Sequence, residues 1–330
     1  MTPTGRDARQ RPVVALCGGI GGAKLALGLA RVISGDDLVI VVNTGDDFRH
    51  LGLHISPDID TVAYTLAGLA NPETGWGRKD ETWNFMEALG DLGGETWFQL
   101  GDRDLALHVE RTRRLAAGET LSDVTADLCR QLGIEAHVAP MSDDPVRTVV
   151  ETDVGTLPFQ RYFVAERCVP VLRAVRFEGA GEARPAPAVR QALARQDLAG
   201  VVICPSNPWL SVDPLLAVPG MREAVRASGA PVVAVSPIVG GQAVKGPTAK
   251  IMAELGLEVS PAAIARHYEG LIDGFVVDQR DADKADGIGG PVAVEQTVMQ
   301  SEADKIALAR QVLNFCTTLK AGAALEEGAA

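Results

Sequence analysis

The sequence predicts an α/β fold: a Rossmann-like, open, mostly parallel sheet with helices on both faces and a smaller β-containing region inserted near 135–177. Three observations predict it. Val13–Cys17 and Leu38–Val42 are short runs without a polar side chain, as expected of strands buried on both faces. Between them lie the glycine turn Gly18–Gly22 and a segment with Ala26, Leu29, Ala30 and Ile33 at helical spacing. Later apolar runs each end in a cluster of glycine, proline and polar residues, where such sheets bind ligands.

Taken in order, residues 1–12 are polar and read as a disordered arm, with no apolar signal segment. Strand, glycine turn, helix and strand then make a βαβ unit over 13–42. A long loop from Asn43 to Asp60 leads into a helix carrying Val62, Leu66 and Leu69, and a further helix is expected over Glu81–Leu89. Trp97–Leu100 reads as a strand, Gly101-Asp102-Arg103-Asp104 opens a helix, and Leu121, Val124, Leu128 and Leu132 mark another. The inserted region shows β-rich runs at Thr148–Glu151, Arg161–Ala165 and Val169–Arg176. The α/β texture resumes with strands at Gly200–Cys204, Val232–Val235 and Phe275–Asp278, then a helix opened by a capping box of Ser301 and Asp304. The whole of 13–320 reads as one domain, and 321–330 as a disordered tail.

The chain has 330 residues and a formal charge of −12, a balance that repels nucleic acid and anionic membranes. Small anions remain possible ligands, because a cation and backbone N–H groups hold a phosphate locally. Five cysteines without a CxxC spacing point to reduced thiols in a cytoplasm. No stretch is long enough to span a bilayer.

Six loops carry candidate chemistry. In CGGIGGAK, Gly19, Gly21 and Gly22 let backbone approach a phosphate at a helix N-terminus, and Lys24 adds a charge. The string fits neither GxGxxG nor Walker A, and a ligand-free tight turn is the alternative. Asp46, Asp47, Asp58 and Asp60 crowd the next loop with oxygen ligands suited to Mg²⁺, although Asp58 or Asp60 would serve equally as a helix cap, and Asn43 and Thr44 are substrate-binding candidates beside them. His50 and His54 add polar atoms there, but His108 and His137 are too distant in sequence to suggest zinc. Arg103 offers a planar donor to a phosphate or flat ring, or else a surface ion pair. The string at 140–145, PMSDDP, reads as a turn. Ser206, Asn207 and Pro208 form a stiff turn whose amide suits a base edge or an Asx-turn. Gly240, Gly241, Lys245 and Lys250 form a second glycine-rich, lysine-bearing loop, a phosphate cradle or a solvated surface loop. No serine elbow or reactive cysteine motif points to a covalent nucleophile.

Together these strings, with SPDIDTVAYTLAG, LGDRDLA, PMSDDPV, PSNPWLSV, KGPTAK and FVVDQRD in the same order, resemble the 2-phospho-L-lactate transferase family. These are the LPPG:Fo transferases of coenzyme F420 biosynthesis, and the resemblance covers roughly 13–320. It implies an Mg²⁺-dependent homodimer that moves a phospho-acid group from a guanosine diphosphate-linked donor to the ribityl hydroxyl of the deazaflavin Fo, releasing GMP. The acid would be phospholactate, phosphoenolpyruvate or 3-phosphoglycerate. By matching positions, Asp60 and Arg103 would contact Fo, and Asp47 and Asp60 would hold the metal and serve catalysis. Asp47 is preferred to Asp46 because some relatives carry Glu at the first position. Asn207 and its turn would meet the guanosine end, and the glycine turn with Lys24 would lie along the acceptor or diphosphate. The competing reading is a nucleotide-sugar-binding regulator of the same fold without transferase activity. An NAD-dependent dehydrogenase is disfavoured, because Asn43-Thr44 stands where a ribose-binding acid belongs.

Overall fold

The computed structural model describes residues 11–244 and 246–327. The expected arm lies almost wholly outside them, as do Lys245 and the last three residues. The described residues hold fourteen strands: β1 Val13–Cys17, β2 Leu38–Val42, β3 Phe48–His50, β4 Leu53–Ile55, β5 His137–Pro140, β6 Arg147–Thr152, β7 Gly155–Pro158, β8 Leu172–Glu178, β9 Gly200–Ile203, β10 Val232–Val235, β11 Ile238–Val239, β12 Gln242–Ala243, β13 Gly274–Asp278 and β14 Val292–Glu295. Eleven α-helices accompany them: α1 Gly19–Ala30, α2 Pro57–Leu66, α3 Asn84–Asp91, α4 Asp102–Ala116, α5 Leu121–Gln131, α6 Pro187–Leu193, α7 Asp213–Leu216, α8 Met221–Ala227, α9 Thr248–Glu254, α10 Pro261–His267 and α11 Glu302–Glu327.

Seven strands form the main sheet in the order β14-β13-β10-β9-β1-β2-β5, and every pairing is parallel. Side chains alternate across it. Val13, Ala15 and Cys17 join the core under α1, α2, α5 and α11, while Val14 and Leu16 join the opposite core under α6, α8 and α10. Burial on both faces explains why these strands read as unbroken apolar runs. From β1 the chain first builds outward through β2 to β5, then returns to the other side of β1 with β9. The two halves therefore part between the carboxyl ends of β1 and β9, the topological switch point where open α/β sheets bind ligands.

Several expectations are corrected. The inserted β-structure is an antiparallel sheet, β7-β6-β8, spanning Arg147–Glu178, whereas His137–Pro140 is the edge of the main sheet. Arg161–Ala165 is a π-helical turn, not a strand, and it buries Tyr162. Trp97–Leu100 forms no strand. Trp97 and Phe98 pack instead on Phe48, with ring centroids 5.9 and 4.9 Å away, so side-chain packing overrides β-propensity. The helix expected from Glu81 begins at Asn84, because Glu81 turns back to accept from the N–H groups of Arg103 and Asp104. At the far end α11 runs through the expected tail to Glu327, as a segment rich in alanine and glutamate allows. Ser301 and Asp304 cap it reciprocally: Asp304 Oδ2 accepts from Ser301 N at 2.8 Å, and Ser301 Oγ accepts from Asp304 N at 3.2 Å.

Candidate active site

A cleft of about 790 Å³ opens over the switch point, lined by the loops after β1, β2, β9, β10 and β14. Its floor is the glycine turn. Gly19 has φ +62°, a conformation that side chains rarely adopt, and this aims its N–H at Asp58 Oδ1, 2.7 Å away. Gly21 and Gly22 permit close approach. A Cβ on Gly22 would stand 2.5 Å from Ser206 Oγ and 2.9 Å from Cys17 Sγ, and one on Gly21 would overlap the Pro205 carbonyl. Ser206 Oγ accepts from Gly18 N at 3.1 Å and donates to Gly18 O at 2.8 Å, stitching the turns after β1 and β9 together.

The acidic wall comes from the loop after β2 and from α2 and α4. Asp46, Asp58, Asp60 and Asp104 all line the cleft. Asn43 lies beneath, its Nδ2 donating to Asp58 Oδ2 at 2.9 Å and to Asp46 Oδ1 at 3.3 Å. Burial, with Asp58 and Asp47 beside it, pushes the Asp46 carboxyl well above the usual carboxylate range. Burial likewise pushes Asp58 up to about 6, although Asn43 and the Gly19 N–H hold it down in part. Asp60 has a different environment. Arg111, 1% exposed, grips both its oxygens, with Nη1 3.1 Å from Oδ2 and Nη2 in close contact with Oδ1. His108 bridges this pair to Asp104: its Nδ1 is 3.6 Å from Asp60 Oδ2 and its Nε2 3.3 Å from Asp104 Oδ2. Tyr64 donates its hydroxyl to Asp104 Oδ1 at 2.5 Å. Burial alone would raise Asp104, but His108 and the Tyr64 hydroxyl hold it below its ordinary value.

The same cleft has an aromatic wall. Trp76, Trp97, Phe98, Phe159 and Phe163 line the cleft, with Phe159 and Phe163 stacked at 5.4 Å and the Arg161 guanidinium 4.8 Å from the Trp97 ring centroid. Such a wall takes a flat ring. Carboxylates, backbone N–H groups and aromatic rings thus meet in one concave site at the switch point.

The structure brings together Gly19, Gly21, Lys24, Asp60, Ser206 and Asn207 of the sequence-predicted residues. Lys24 Nζ donates to Met299 O at 2.9 Å, and Asn207 Nδ2 to Thr248 Oγ1 at 3.1 Å. Gly22, Asn43, Thr44 and Pro208 are buried behind the lining. Asp47 differs from expectation. It does not line the cleft, because its Oδ2 is taken by Ser56 Oγ at 2.8 Å and His54 Nε2 at 3.0 Å, while its buried Oδ1 has no partner. Arg103 is exposed at the start of α4 and outside the lining. Gly240 is also outside it, its N–H donating to Asp281 Oδ2 at 2.6 Å. Lys250 is tied to Tyr162, Pro170 and Glu254 instead of facing a phosphate. Lys245 lies outside the described residues. Sequence reasoning missed Tyr64, His108 and Arg111. A signal existed: Asp104, His108 and Arg111 recur at i, i+4 and i+7 on one face of α4.

Comparison with known proteins places this site in context. The profile of the CofD family, described as 2-phospho-L-lactate transferase CofD, matches residues 13–311. A phosphoenolpyruvate transferase of Streptomyces griseus is 43% identical over 318 residues, covering 94% of this chain and 99% of that protein. A 2-phospho-L-lactate transferase of Methanosarcina mazei is 39% identical over 269 residues, 82% of this chain and 88% of its own. Among solved structures, a UPF0052 family member from Bacillus halodurans superposes with a TM-score of 0.60 at 16% identity, covering 94% of this chain and all of its own, a likeness of fold alone.

Proposed function

The chain belongs to the CofD family, transferases of coenzyme F420 biosynthesis, and from that premise we propose that it carries a three-carbon phospho-acid from a guanosine diphosphate-linked donor to the ribityl hydroxyl of the deazaflavin Fo. The hydroxyl oxygen attacks the phosphorus bonded to the acid, the bond to the GMP oxygen breaks, and a phosphodiester remains. The observation that carries this reading is the pairing, across one cleft, of a glycine turn at a helix N-terminus with an aromatic wall. The first suits the donor's diphosphate and the second the deazaflavin ring. Asp60, pinned by Arg111, orients the acceptor's ribityl hydroxyls as a hydrogen-bond acceptor and takes the proton. Asn207 and Thr248 meet the guanosine end.

The site fits a divalent cation of the Mg²⁺ type. Asp46 and Asp58 are buried carboxyls whose charge no described cation offsets at hydrogen-bonding distance, and Asp47 Oδ1 is a buried oxygen without a partner. Asp60, Asp104 and His108, whose ligand atoms lie within 4.8 Å of one another, would hold the ion, and Asp46 and Asp58 line the same cleft. Asp60, expected as a ligand, belongs to that set while also pairing with Arg111, whereas Asp47, the other expected ligand, does not line the cleft. When bound, the ion would offset charge developing on the phosphoryl oxygens.

The test incubates the protein with Fo, Mg²⁺ and each guanylylated acid in turn, namely phospholactate, phosphoenolpyruvate and 3-phosphoglycerate, and weighs the products. A phosphodiester-linked deazaflavin with GMP from one donor supports the reading. No product and no quenching of Fo fluorescence would sink it in favour of a nucleotide-binding regulator. A homodimer is the expected assembly, to be read by light scattering.

A further inference from the structure

The charge of the cleft is at odds with the ligand just proposed. Its described lining carries four carboxylates, on Asp46, Asp58, Asp60 and Asp104, yet the donor is itself a polyanion. The lysine and arginine of the lining among the described residues are Lys24 and Arg167, and Lys24 already donates to the Met299 carbonyl. Arg167 is exposed at the cleft's rim, beside Phe163 and Val164, and makes no hydrogen bond or ion pair to a described residue.

Its backbone is unusual. Arg167 and Cys168 have φ of +49° and +56°, two consecutive left-handed residues that are not glycine. Such conformations persist where the surroundings fix them, and they gather at binding sites. Here the surroundings do fix them. Cys168 N donates to Tyr162 O at 2.9 Å and Val169 N to Glu166 O at 2.8 Å, closing the turn. From α9, Lys250 Nζ donates to Pro170 O at 3.1 Å, and Glu254 Oε2 accepts from Leu172 N at 3.0 Å. The lysine of the KGPTAK string therefore braces the turn that carries Arg167. A glycine would suit this backbone better, yet the arginine that stands there lines the cleft.

We propose that Arg167 is a donor-binding residue whose guanidinium pairs with an oxyanion of the incoming donor, the carboxylate of its three-carbon acid or its diphosphate. This rests on the transferase reading above. A planar guanidinium suits either group, because both accept two parallel N–H bonds. Binding is a non-covalent pairing, and Arg167 takes no part in bond making.

Arg167→Gly separates this role from a structural one, because glycine relieves the left-handed backbone while removing the cation. The expected result is a melting temperature equal to or above that of the unaltered protein. KM for the donor rises by about tenfold or more, as befits a lost charged hydrogen bond, with kcat and KM for Fo unchanged. Arg167→Lys should recover part of the loss. A donor lacking the carboxylate names the group: if the unaltered protein loses affinity for it and Arg167→Gly does not, the carboxylate is the partner. If both lose equally, the diphosphate is. Calorimetric donor Kd values in the absence of Fo decide the assignment independently of turnover. Turnover absent with donor binding intact counts against the transferase reading alone. Equal donor affinity in Arg167→Gly and the unaltered protein, or no donor binding by either, overturns the assignment.

Discussion

Arg111 and Asp60 make the most consequential single contact of the site. Both are buried, so removing one partner strands a charge in a poorly solvated place. Arg111→Met should cost about 3–5 kcal/mol of stability, measured by urea unfolding, and the double variant Arg111→Met, Asp60→Asn should recover much of it. Asp60→Asn alone should leave Fo bound but cut kcat/KM by tenfold or more if the carboxylate orients the hydroxyl. Turnover at the unaltered rate would remove Asp60 from the mechanism. Gly22→Ala should destabilise by about 1–3 kcal/mol through overpacking, since its methyl would press on Ser206 and Cys17. Asp58 gives a pH signature. Its folded-state carboxyl is raised to about 6 from 3.8, so the folded chain holds the proton more tightly than the unfolded one. That contribution is complete below about pH 4 and is lost as pH rises through 6. Asp58→Asn should therefore gain thermal stability relative to the unaltered protein at pH 7.5 but not at pH 4.5. Mg²⁺ should narrow the difference at pH 7.5 if these carboxylates bind it.

At the scale of elements, legibility followed burial. β1, β2, β10 and β13 announce themselves because a strand covered on both faces admits little but apolar residues. The glycine turn was legible because only glycine fits both a left-handed φ and a backbone-to-backbone approach. Trp97–Leu100 misled because aromatic residues favour strands and cleft walls alike. Arg161–Ala165 misled because a single buried tyrosine holds a π turn that no periodicity marks. The carboxylate choice was the harder problem. Asp46 and Asp47 are adjacent, and only the neighbours Ser56 and His54 decide which one faces the cleft. The capping box of α11 was readable from type and spacing alone. Ser301→Ala should cost about 1 kcal/mol, visible as a lower melting temperature with unchanged Fo binding.

For the whole molecule, the parallel sheet assigns each half a task. The half through β5 supplies the glycine turn and all four lining carboxylates, and the half from β9 supplies the turns at Ser206–Asn207 and Ser236–Pro237. No helix among the described residues is long and apolar enough to cross a membrane. The cysteines form no disulfide among the described residues, and all but Cys168 are buried.

The order of the strands also bears on how the protein is made. β1, the first strand among the described residues, lies near the middle of the sheet, yet its neighbour β9 is encoded nearly two hundred residues later. Until then one edge of β1 has no partner. The apolar side of α1 is covered early by α2 but completed only by α11, the last helix among the described residues. A nascent chain released early thus exposes a bare strand edge and a greasy helix face, the features that recruit chaperones and promote clumping. Messages cut short before the final helix should yield insoluble product, read by the share of protein recovered in the pellet after lysis.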